Sequence, residues 1–300
     1  MDVSIIIVNY NTKELLRNCL ESIFKQTKNI FFEVIVVDND SLDESIAMIK
    51  SEFPQVILIE NKENLGFGTA NNRGVAVSSG EYILFLNSDT VLRNNAILLF
   101  YNYARKNNKS LLGGYLIDEN NNVIHSYENY SKPIKSLIRL LYYSFPALLK
   151  LKLFLFSEKK QLSSTVSCLM VDYITGADLF INKTVFKEIG GFDENIFMYF
   201  EDDDLCRRAK KYGYASFIIP GLRIVHLEGK SISSKGEKLL IYEESLIYYF
   251  RKHYMGLEYF AVNILLLIYI FLRFLSPYYS FSNKYKSFTI VISFIKNKKS

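Results

Sequence analysis

The chain has 300 residues, 49% of them hydrophobic, and a formal net charge of +5. This length and composition allow a large buried core, which favours one large domain with or without an appendage and excludes a disordered chain. The basic segments alternate with long apolar stretches and not with polar, base-stacking loops. The charge therefore indicates a membrane surface and excludes nucleic acid as the expected partner.

The chain starts with an apolar run at residues 3–8, directly after Asp2. It lacks a basic n-region, so we predict a strand here and not a signal peptide. The three cysteines, Cys19, Cys168 and Cys206, have no metal-ligand or disulfide spacing. They predict buried thiols in a reducing compartment, with the cytoplasm as the expected location.

Short apolar runs alternate with amphipathic segments along the first ninety residues. Strands are predicted at 3–8, 33–37, 56–60 and 82–86, and helices at 14–26 and 41–53. This order, with continuous β-branched runs, predicts an α/β fold whose mostly parallel sheet carries helices on both faces. Polar clusters follow three of the strands, at 9–11, 38–41 and 87–90. Ligands bind beyond the carboxyl ends of parallel strands, so the three loops are expected to converge on one site.

Two aspartates in these loops are candidate ligand contacts. Asp89 follows a buried strand, where a hard cation would satisfy its carboxylate. Asp38 ends another strand and is suited to accept the ring N–H of a pyrimidine base. For Asp89, the alternative is a turn-capping role before the helix that is predicted to start around Asn94. For Asp38, a helix-capping turn is as simple an explanation as contact with a base.

A glycine-containing loop occupies residues 64–68 and continues to 71–74. It is suited to opening a helix toward a phosphate group. The third glycine of the dinucleotide fingerprint is missing, and the loop does not follow the first strand. An oxidoreductase is therefore disfavoured.

Four consecutive carboxylates, Glu201 to Asp204, follow an aromatic stretch and precede Arg207 and Arg208. Repulsion and desolvation both raise a carboxylate pKa, which suits a general base. An acidic helix start explains one or two of the four. His226, one of three histidines, follows a predicted strand and a turn at Gly221. By itself, a lone histidine indicates a core or surface role more often than metal ligation.

Residues 132–160 mix Leu, Tyr and Phe with basic residues. An interfacial helix or helical pair split near Pro146, and an ordinary helix packed on the sheet, explain this basic amphipathic insertion equally well. The apolar run at 259–272 is shorter than the roughly 20 residues that span a bilayer. With the basic end of the chain, it predicts a tail at 256–300 that lies in the membrane interface, after a main domain at 1–255.

Taken together, eight segments resemble the family 2 glycosyltransferases of the GT-A fold, especially the bacterial rhamnosyltransferase-like branch. They are VSIIIVNYN at 3–11, VVDNDS at 36–41, NLGFG with NNRG at 64–74, LNSDT at 86–90, TGAD at 175–178, GGFDE at 190–194, FMYFEDDDL at 197–205 and HLEGKS at 226–231. Each segment is weak alone, but their order and spacing over residues 3–255 are specific.

The resemblance implies a role for each matched position. Asp202 corresponds to the catalytic aspartate, and Asp89 to the last aspartate of the metal motif, where Asn87 replaces the usual first aspartate. His226 corresponds to a position that completes the metal shell around Mg²⁺ or Mn²⁺. The implied catalytic and acceptor support comes from Glu201, Asp204 and Gly176. Donor binding is implied for Tyr10, Asn11, Asp38, Asn64, Gly66, Arg73 and Asn87.

The implied reaction is an inverting transfer from a nucleotide-sugar donor, first of all dTDP-rhamnose, in cell-surface polysaccharide synthesis. The implied acceptor is a saccharide or lipid-linked saccharide, at the inner face of the cell membrane, with a homodimer left open. A nucleotidyltransferase is the nearest enzymatic alternative, but the loop at 9–12 lacks the basic, glycine-rich character that it requires. A catalytically silent scaffold is the alternative from another class.

Overall fold

The computed structural model describes residues 1–107, 110–144, 168–227, 235–276 and 281–296. The described residues fall into two compact units. The sheet unit comprises Met1–Tyr130, Leu162–Phe197 and Glu201–Ile232, and the helical unit comprises Ser131–Gln161, Met198–Phe200 and Ser233–Ser300. The predicted domain boundary at residue 255 stays a prediction.

Eleven strands are described. They are β1 (Val3–Asn9), β2 (Phe32–Asp38), β3 (Ile57–Glu60), β4 (Tyr82–Leu86), β5 (Thr90–Leu92), β6 (Ser110–Ile117), β7 (Tyr127–Glu128), β8 (Leu169–Val171), β9 (Tyr173–Ile174), β10 (Asp178–Asn182) and β11 (Ala215–His226). Nine of them form one sheet in the order β3-β2-β1-β4-β10-β6-β11-β5, with β8 also paired to β11. Strands β7 and β9 form a separate pair.

The large sheet is mixed. Strands β1 to β4 pair in parallel, as the alternation of apolar runs and helices predicts, and β6 is parallel to β11. Strand β10 runs antiparallel to β4 and β6, and β5 runs antiparallel to β11. The predicted mostly parallel sheet with flanking helices is confirmed.

The helices of the sheet unit are α1 (Lys13–Gln26), α2 (Ser45–Glu52), α3 (Phe67–Val77), α4 (Ala96–Lys106), α6 (Lys183–Glu188) and α7 (Glu201–Lys211); α5 belongs to the helical unit. Successive side chains of a strand point to opposite faces, so Ile5 and Ile6 of β1 enter different cores. Helices α1, α2 and α4 cover the core of Ile5, and α3, α6 and α7 cover the core of Ile6. The loops that follow the strands are thereby held by a sheet that is packed on both faces.

The helical unit contains α5 (Pro133–Ser144), α8 (Lys235–His253), α9 (Gly256–Leu275) and α10 (Phe281–Lys296). Helix α5 occupies the described part of the predicted 132–160 insertion, and the expected break near Pro146 lies outside the described residues. Helix α9 has 20 residues and is the one described helix that is long and apolar enough to cross a membrane. It is longer than the predicted run because it continues past Arg273, whose charge is paired inside the unit with Glu243.

Candidate functional site

The loops after β1 and β2 are joined by a buried carboxylate. Asn9 and Asp38 are register partners at the ends of the two strands, and Asn9 Nδ2 donates to Asp38 Oδ2 at 2.7 Å. Asp38 Oδ1 accepts from the Ser41 amide at 2.8 Å, and the side chain is fully buried. Direct contact between Asp38 and a nucleobase would therefore require the Ser41 turn to open.

The two predicted donor contacts beside Asp38 differ in exposure. Asn11 has a positive φ of 53°, donates its amide to Ser41 Oγ at 2.9 Å and accepts from the Leu42 amide at 2.7 Å. Tyr10 is 44% exposed. The local turn thus fixes Asn11 and leaves the Tyr10 ring available at the edge of the sheet.

The glycine loop is bound to the β2 loop through amides. Asn39 Nδ2 donates to the Gly66 carbonyl at 3.1 Å and to Asn64 Oδ1 at 3.2 Å. Asn61 donates to Asn39 Oδ1 at 2.8 Å and accepts from Arg73 at 2.7 Å. The predicted residues Asn64, Gly66 and Arg73 therefore belong to one amide network.

Gly66 is required by its surroundings. Its φ is +79°, and a Cβ added there would lie 2.2 Å from the Phe197 carbonyl oxygen. The neighbouring Phe67 amide donates to the same oxygen at 2.9 Å. Any side chain at Gly66 would push the loop away from the segment that leads to the acidic helix.

The acidic helix contacts the turn before β10 through Asp202. The Gly176 amide donates to Asp202 Oδ2 at 3.0 Å, and the Asp203 amide donates to Asp202 Oδ1 at 2.8 Å. A Cβ on Gly176 would lie 3.1 Å from the Phe67 ring, so Gly176 also gives room to the glycine loop. The carboxylate of Asp202 is thereby held in one orientation, half-buried at the start of α7.

The four carboxylates of α7 have different environments. Burial raises the pKa of Asp202, against the opposing effect of the amides that donate to it. Burial, with the nearby Asp202 charge, raises the pKa of Glu201 to about 8. Asp204 is fully buried and accepts from Arg208 Nε at 2.8 Å. Arg208 also donates to the carbonyls of Ile189 and Gly191, so this pair ties α7 to the turn before it.

We expect a Glu201→Gln variant to show a flatter dependence of stability on pH. The folded-state pKa of Glu201, about 8, lies above its ordinary value of 4.5, so the folded chain binds the proton more tightly. The free energy of unfolding should therefore fall as pH rises from about 4.5 to 8, by about 4 kcal/mol from this group. Urea unfolding of both proteins at intervals across that range measures the difference.

Asp178 is a second buried acid, and it is present in both the wild type and the Glu201→Gln variant. Its buried carboxyl also has a pKa well above its ordinary value, and it contributes the same slope to both. Parallel pH profiles for wild type and Glu201→Gln would contradict the assignment to Glu201.

The loop after β4 and the end of β11 carry the predicted metal ligands. His226, the last residue of β11, is paired with Thr90 in the antiparallel register, and its Nε2 lies 3.1 Å from Asp89 Oδ1. Asn87 Nδ2 lies 3.3 Å from the same ring nitrogen. Asp89 precedes strand β5 and not a helix, so a helix-capping role does not account for it.

The Asp89–His226 pair fits a divalent cation shared with a ligand. Adjacent donors in an octahedral shell with bonds of about 2.1 Å lie about 3 Å apart, which matches the separation of the two side-chain atoms. Across the described ranges, no group of three or more His, Cys, Asp or Glu side chains could hold a metal. The pair therefore suits a cation that takes most of its ligands from a diphosphate and water.

Asp202 and the Asp89–His226 pair are connected through two consecutive residues, Gly176 and Ala177. The Gly176 amide contacts Asp202, and the carbonyl of the next residue, Ala177, accepts from the Asn87 amide at 3.1 Å. Thr12 Oγ1 lies 2.9 Å from Ser88 Oγ, which connects the β1 and β4 loops. All predicted site residues thus lie in the sheet unit.

Several functional neighbours were not predicted. Asn9, Asn39 and Asn61 carry the hydrogen bonds between loops, and Arg208 holds Asp204. An asparagine at or just after the end of each of three successive strands is a pattern that could have indicated them. The partner of Arg208 follows from its i,i+4 spacing to Asp204, but its two carbonyl contacts depend on the tertiary fold.

Comparison with known proteins gives matches in both sequence and structure. The sequence profile of glycosyl transferase family 2 matches residues 4–166, more than half of the chain. The Escherichia coli rhamnosyltransferase WbbL is 26% identical over 232 residues, covering 75% of this chain and 83% of that protein. The N-acetylglucosaminyl-diphospho-decaprenol L-rhamnosyltransferase of Mycobacterium tuberculosis is 27% identical over 239 residues, 76% of each.

A poly(ribitol-phosphate) beta-glucosyltransferase of Bacillus spizizenii is 35% identical over 121 residues, 39% of this chain, and the match spans 19% of that protein's length. The solved structure of the mannosyltransferase PcManGT from Pyrobaculum calidifontis, in complex with GDP-Man and Mn²⁺, has a TM-score of 0.56 and 13% identity, over 99% of this chain and 88% of that one. The structural likeness establishes the GT-A fold, and the profile match establishes the family. The chain belongs to glycosyl transferase family 2.

Proposed function

We propose that this chain transfers a sugar from a nucleotide-diphosphate donor to a saccharide acceptor, with inversion at the anomeric carbon and Asp202 as the base. The observation that carries the proposal is the Asp202 carboxylate, which the Gly176 and Asp203 amides fix beside the glycine loop. Its raised pKa makes it a stronger base than an ordinary aspartate.

The proposed reaction uses the unequal environments of α7. Asp202 takes the proton from the acceptor hydroxyl, and that oxygen attacks the anomeric carbon from the face opposite the diphosphate. Glu201, with its pKa of about 8, keeps its proton near neutral pH and adds no second charge beside Asp202. Asp204 supports the helix through Arg208. A double displacement would need a second carboxylate within reach of the anomeric carbon. Of the four acidic residues in α7, Asp202 is half-buried and the other three are buried, so α7 offers one carboxylate to a substrate and not two.

The donor is proposed to lie along the loops after β1 to β4. Tyr10 offers an exposed ring to the nucleobase, and Asp38 would accept the nucleobase N–H once the Ser41 turn opens. The proposed contacts to the ribose and diphosphate come from the amide network and the β4 loop, through Asn11, Asn64, Gly66, Arg73 and Asn87.

Asp89 and His226 would hold Mg²⁺ or Mn²⁺. A bound cation supplies charge stabilisation for the departing diphosphate. Asp89 would contribute the anionic oxygen, and His226 would contribute its ring nitrogen Nε2, which lies beside Asn87 Nδ2. Asn87 in place of a carboxylate leaves the site one negative charge weaker than the pattern of the family.

The names of the relatives support a substrate class. Two of them are rhamnosyltransferases, and one acts on a diphospho-decaprenol-linked sugar. We therefore propose dTDP-rhamnose as the first donor to test and a lipid-linked saccharide as the acceptor, in cell-surface glycan synthesis at the cytoplasmic face of the membrane. A homodimer stays a prediction.

A thermal-shift screen of nucleotide sugars with and without Mn²⁺ tests the donor. A ligand that binds only the folded chain at about 100 times its Kd stabilises it by roughly 2.7 kcal/mol. We expect dTDP-rhamnose with Mn²⁺ to give the largest rise in Tm, and Asp89→Asn to remove the dependence on Mn²⁺. A folded chain whose Tm responds to no nucleotide sugar would overturn the proposed function.

A further inference from the structure

Helix α9 has two apolar faces with different surroundings. One face is buried in the core of the helical unit, through Val262, Leu266, Tyr269 and Ile270. The opposite face carries side chains that are 38% to 84% exposed, at Leu257, Phe260, Ile264, Leu267, Phe271 and Phe274. Their spacing of three and four residues makes one continuous stripe along the whole helix.

The buried face also carries a charged cluster that links three helices. Arg273 pairs with Glu243 of α8, Tyr269 donates to Glu243, and Ser287 of α10 donates to Glu243 Oε2 at 2.6 Å. Arg273 and Glu243 are each 1% exposed. If α9 crossed a bilayer alone, Arg273 would either lose its contacts with α8 and α10 or enter the hydrocarbon together with Glu243. Charged side chains are energetically costly in hydrocarbon. Lying flat, the helix keeps the cluster sealed and presents only the apolar stripe.

The charge around α9 identifies the surface that it fits. Besides the buried Arg273, residues 256–300 contain five lysines and one acidic residue, Glu258. On α10, Lys286 is exposed, and the exposed aromatics Tyr285 and Phe288 flank it on the chain. Exposed aromatics with basic residues are typical of a helix at the boundary between headgroups and acyl chains.

We propose that the exposed stripe of α9 lies in the plane of an anionic lipid surface, with α10 beside it in the headgroup region. The inference rests on the proposed membrane location of the enzyme and adds the face and the orientation. The stripe enters the acyl boundary, the basic residues meet anionic headgroups, and the Glu243–Arg273 cluster stays inside the protein.

The chain contains no tryptophan, so a single introduced indole reports its own depth. Phe260→Trp, Leu267→Trp and Phe274→Trp sample the stripe, and Phe31→Trp, at a side chain that is 78% exposed in the sheet unit, is the matched control. Each full-length variant is mixed with phosphatidylcholine vesicles, with and without phosphatidylglycerol, that carry bromine at defined depths. We expect blue-shifted emission and equal, shallow quenching at all three positions in anionic vesicles, and no change for Phe31→Trp.

The other outcomes overturn the proposal. Deep quenching at Leu267→Trp with shallow quenching at the other two positions would mean a spanning helix. No quenching, with a dimer in light scattering, would mean that a second copy covers the stripe, and quenching that ignores phosphatidylglycerol would remove the anionic requirement.

A second measurement does not depend on the tryptophan variants. Phe260→Glu with Phe271→Glu should weaken vesicle sedimentation at least about tenfold, whereas Phe31→Glu should leave it unchanged. Equal sedimentation of the two proteins would count against the stripe. Donor binding in the absence of vesicles separates the two proposals: a chain that binds its donor but not vesicles overturns the membrane inference alone.

Discussion

We expect Asp202→Asn to lower the rate of sugar transfer by about 10² to 10⁴-fold while donor affinity stays within about twofold, the range that general-base catalysis contributes. Asparagine has the same shape, and its oxygen can still accept from the Gly176 amide, so the turn should keep its place. What is lost is the ability to take a proton. Transfer rates are measured with saturating donor, and donor affinity by calorimetry.

Asp172→Asn is the matched control for this substitution. Asp172 is a half-buried aspartate outside α7 that lies 3.3 Å from Lys210 of that helix. We expect its transfer rate to stay within about twofold of wild type, as for a screened surface pair. Full activity of purified Asp202→Asn would refute the assignment of the base.

The pH profile gives a second readout for Asp202. Because the base must be ionised and burial raises its pKa, transfer by the wild type should decline on the acid side at a pH above the ordinary range of an aspartate. A structural role for Asp202 would leave no such limb.

We expect Arg208→Leu to lower the free energy of unfolding by about 3 kcal/mol or more. Asp204 is fully buried, and the substitution removes the guanidinium that pairs with it at 2.8 Å. Breaking one side of a buried pair is strongly destabilising because the remaining charge stays in the interior. The carbonyls of Ile189 and Gly191 lose their donor as well. Urea unfolding with an m-value for each protein measures the change.

The adjacent Arg207 provides the control. Its guanidinium lies 5.6 Å from the centre of the Tyr130 ring, a contact worth about 0.5–1 kcal/mol at a partly exposed site. Arg207→Leu should therefore cost far less than Arg208→Leu. The double variant Asp204→Leu with Arg208→Leu should recover part of the lost stability, since it leaves no buried charge. Equal costs for Arg207→Leu and Arg208→Leu would show that Asp204 does not depend on its ion pair.

The first half of the sheet could be predicted because local pattern and tertiary position agree there. The four apolar runs become parallel strands β1 to β4, and the run at 82–86 matches β4 at both ends. Strand direction was less accessible: the apolar residues of β10 form the same pattern whether it runs parallel or antiparallel to β4. The three-residue strand β5 was missed, since it is too short to form a pattern.

The site was predictable in its members more than in its contacts. Family resemblance indicated Asp89 and His226 together, but only the pairing of β11 with β5 brings atoms so distant in sequence to 3.1 Å. The resemblance also grouped Asp204 with Asp202, whereas the structure commits Asp204 to Arg208. In the tail, the predicted apolar run ended before Arg273, whereas the helix continues to Leu275. The sequence alone does not show that Glu243 pairs with Arg273 inside the helical unit.

The length of β11 sets the position of His226. Between Ile219 and Ile224 the strand advances five positions while its neighbour β6 advances two, from Gly114 to Leu116. The excess is taken up around Gly221, whose φ is +86°. Loss of one residue there would move His226 by about 3.3 Å and turn its side chain to the other face of the sheet. The segment at 220–223 thus acts as a spacer of fixed length, so insertions and deletions in it should be absent from homologues that retain the histidine.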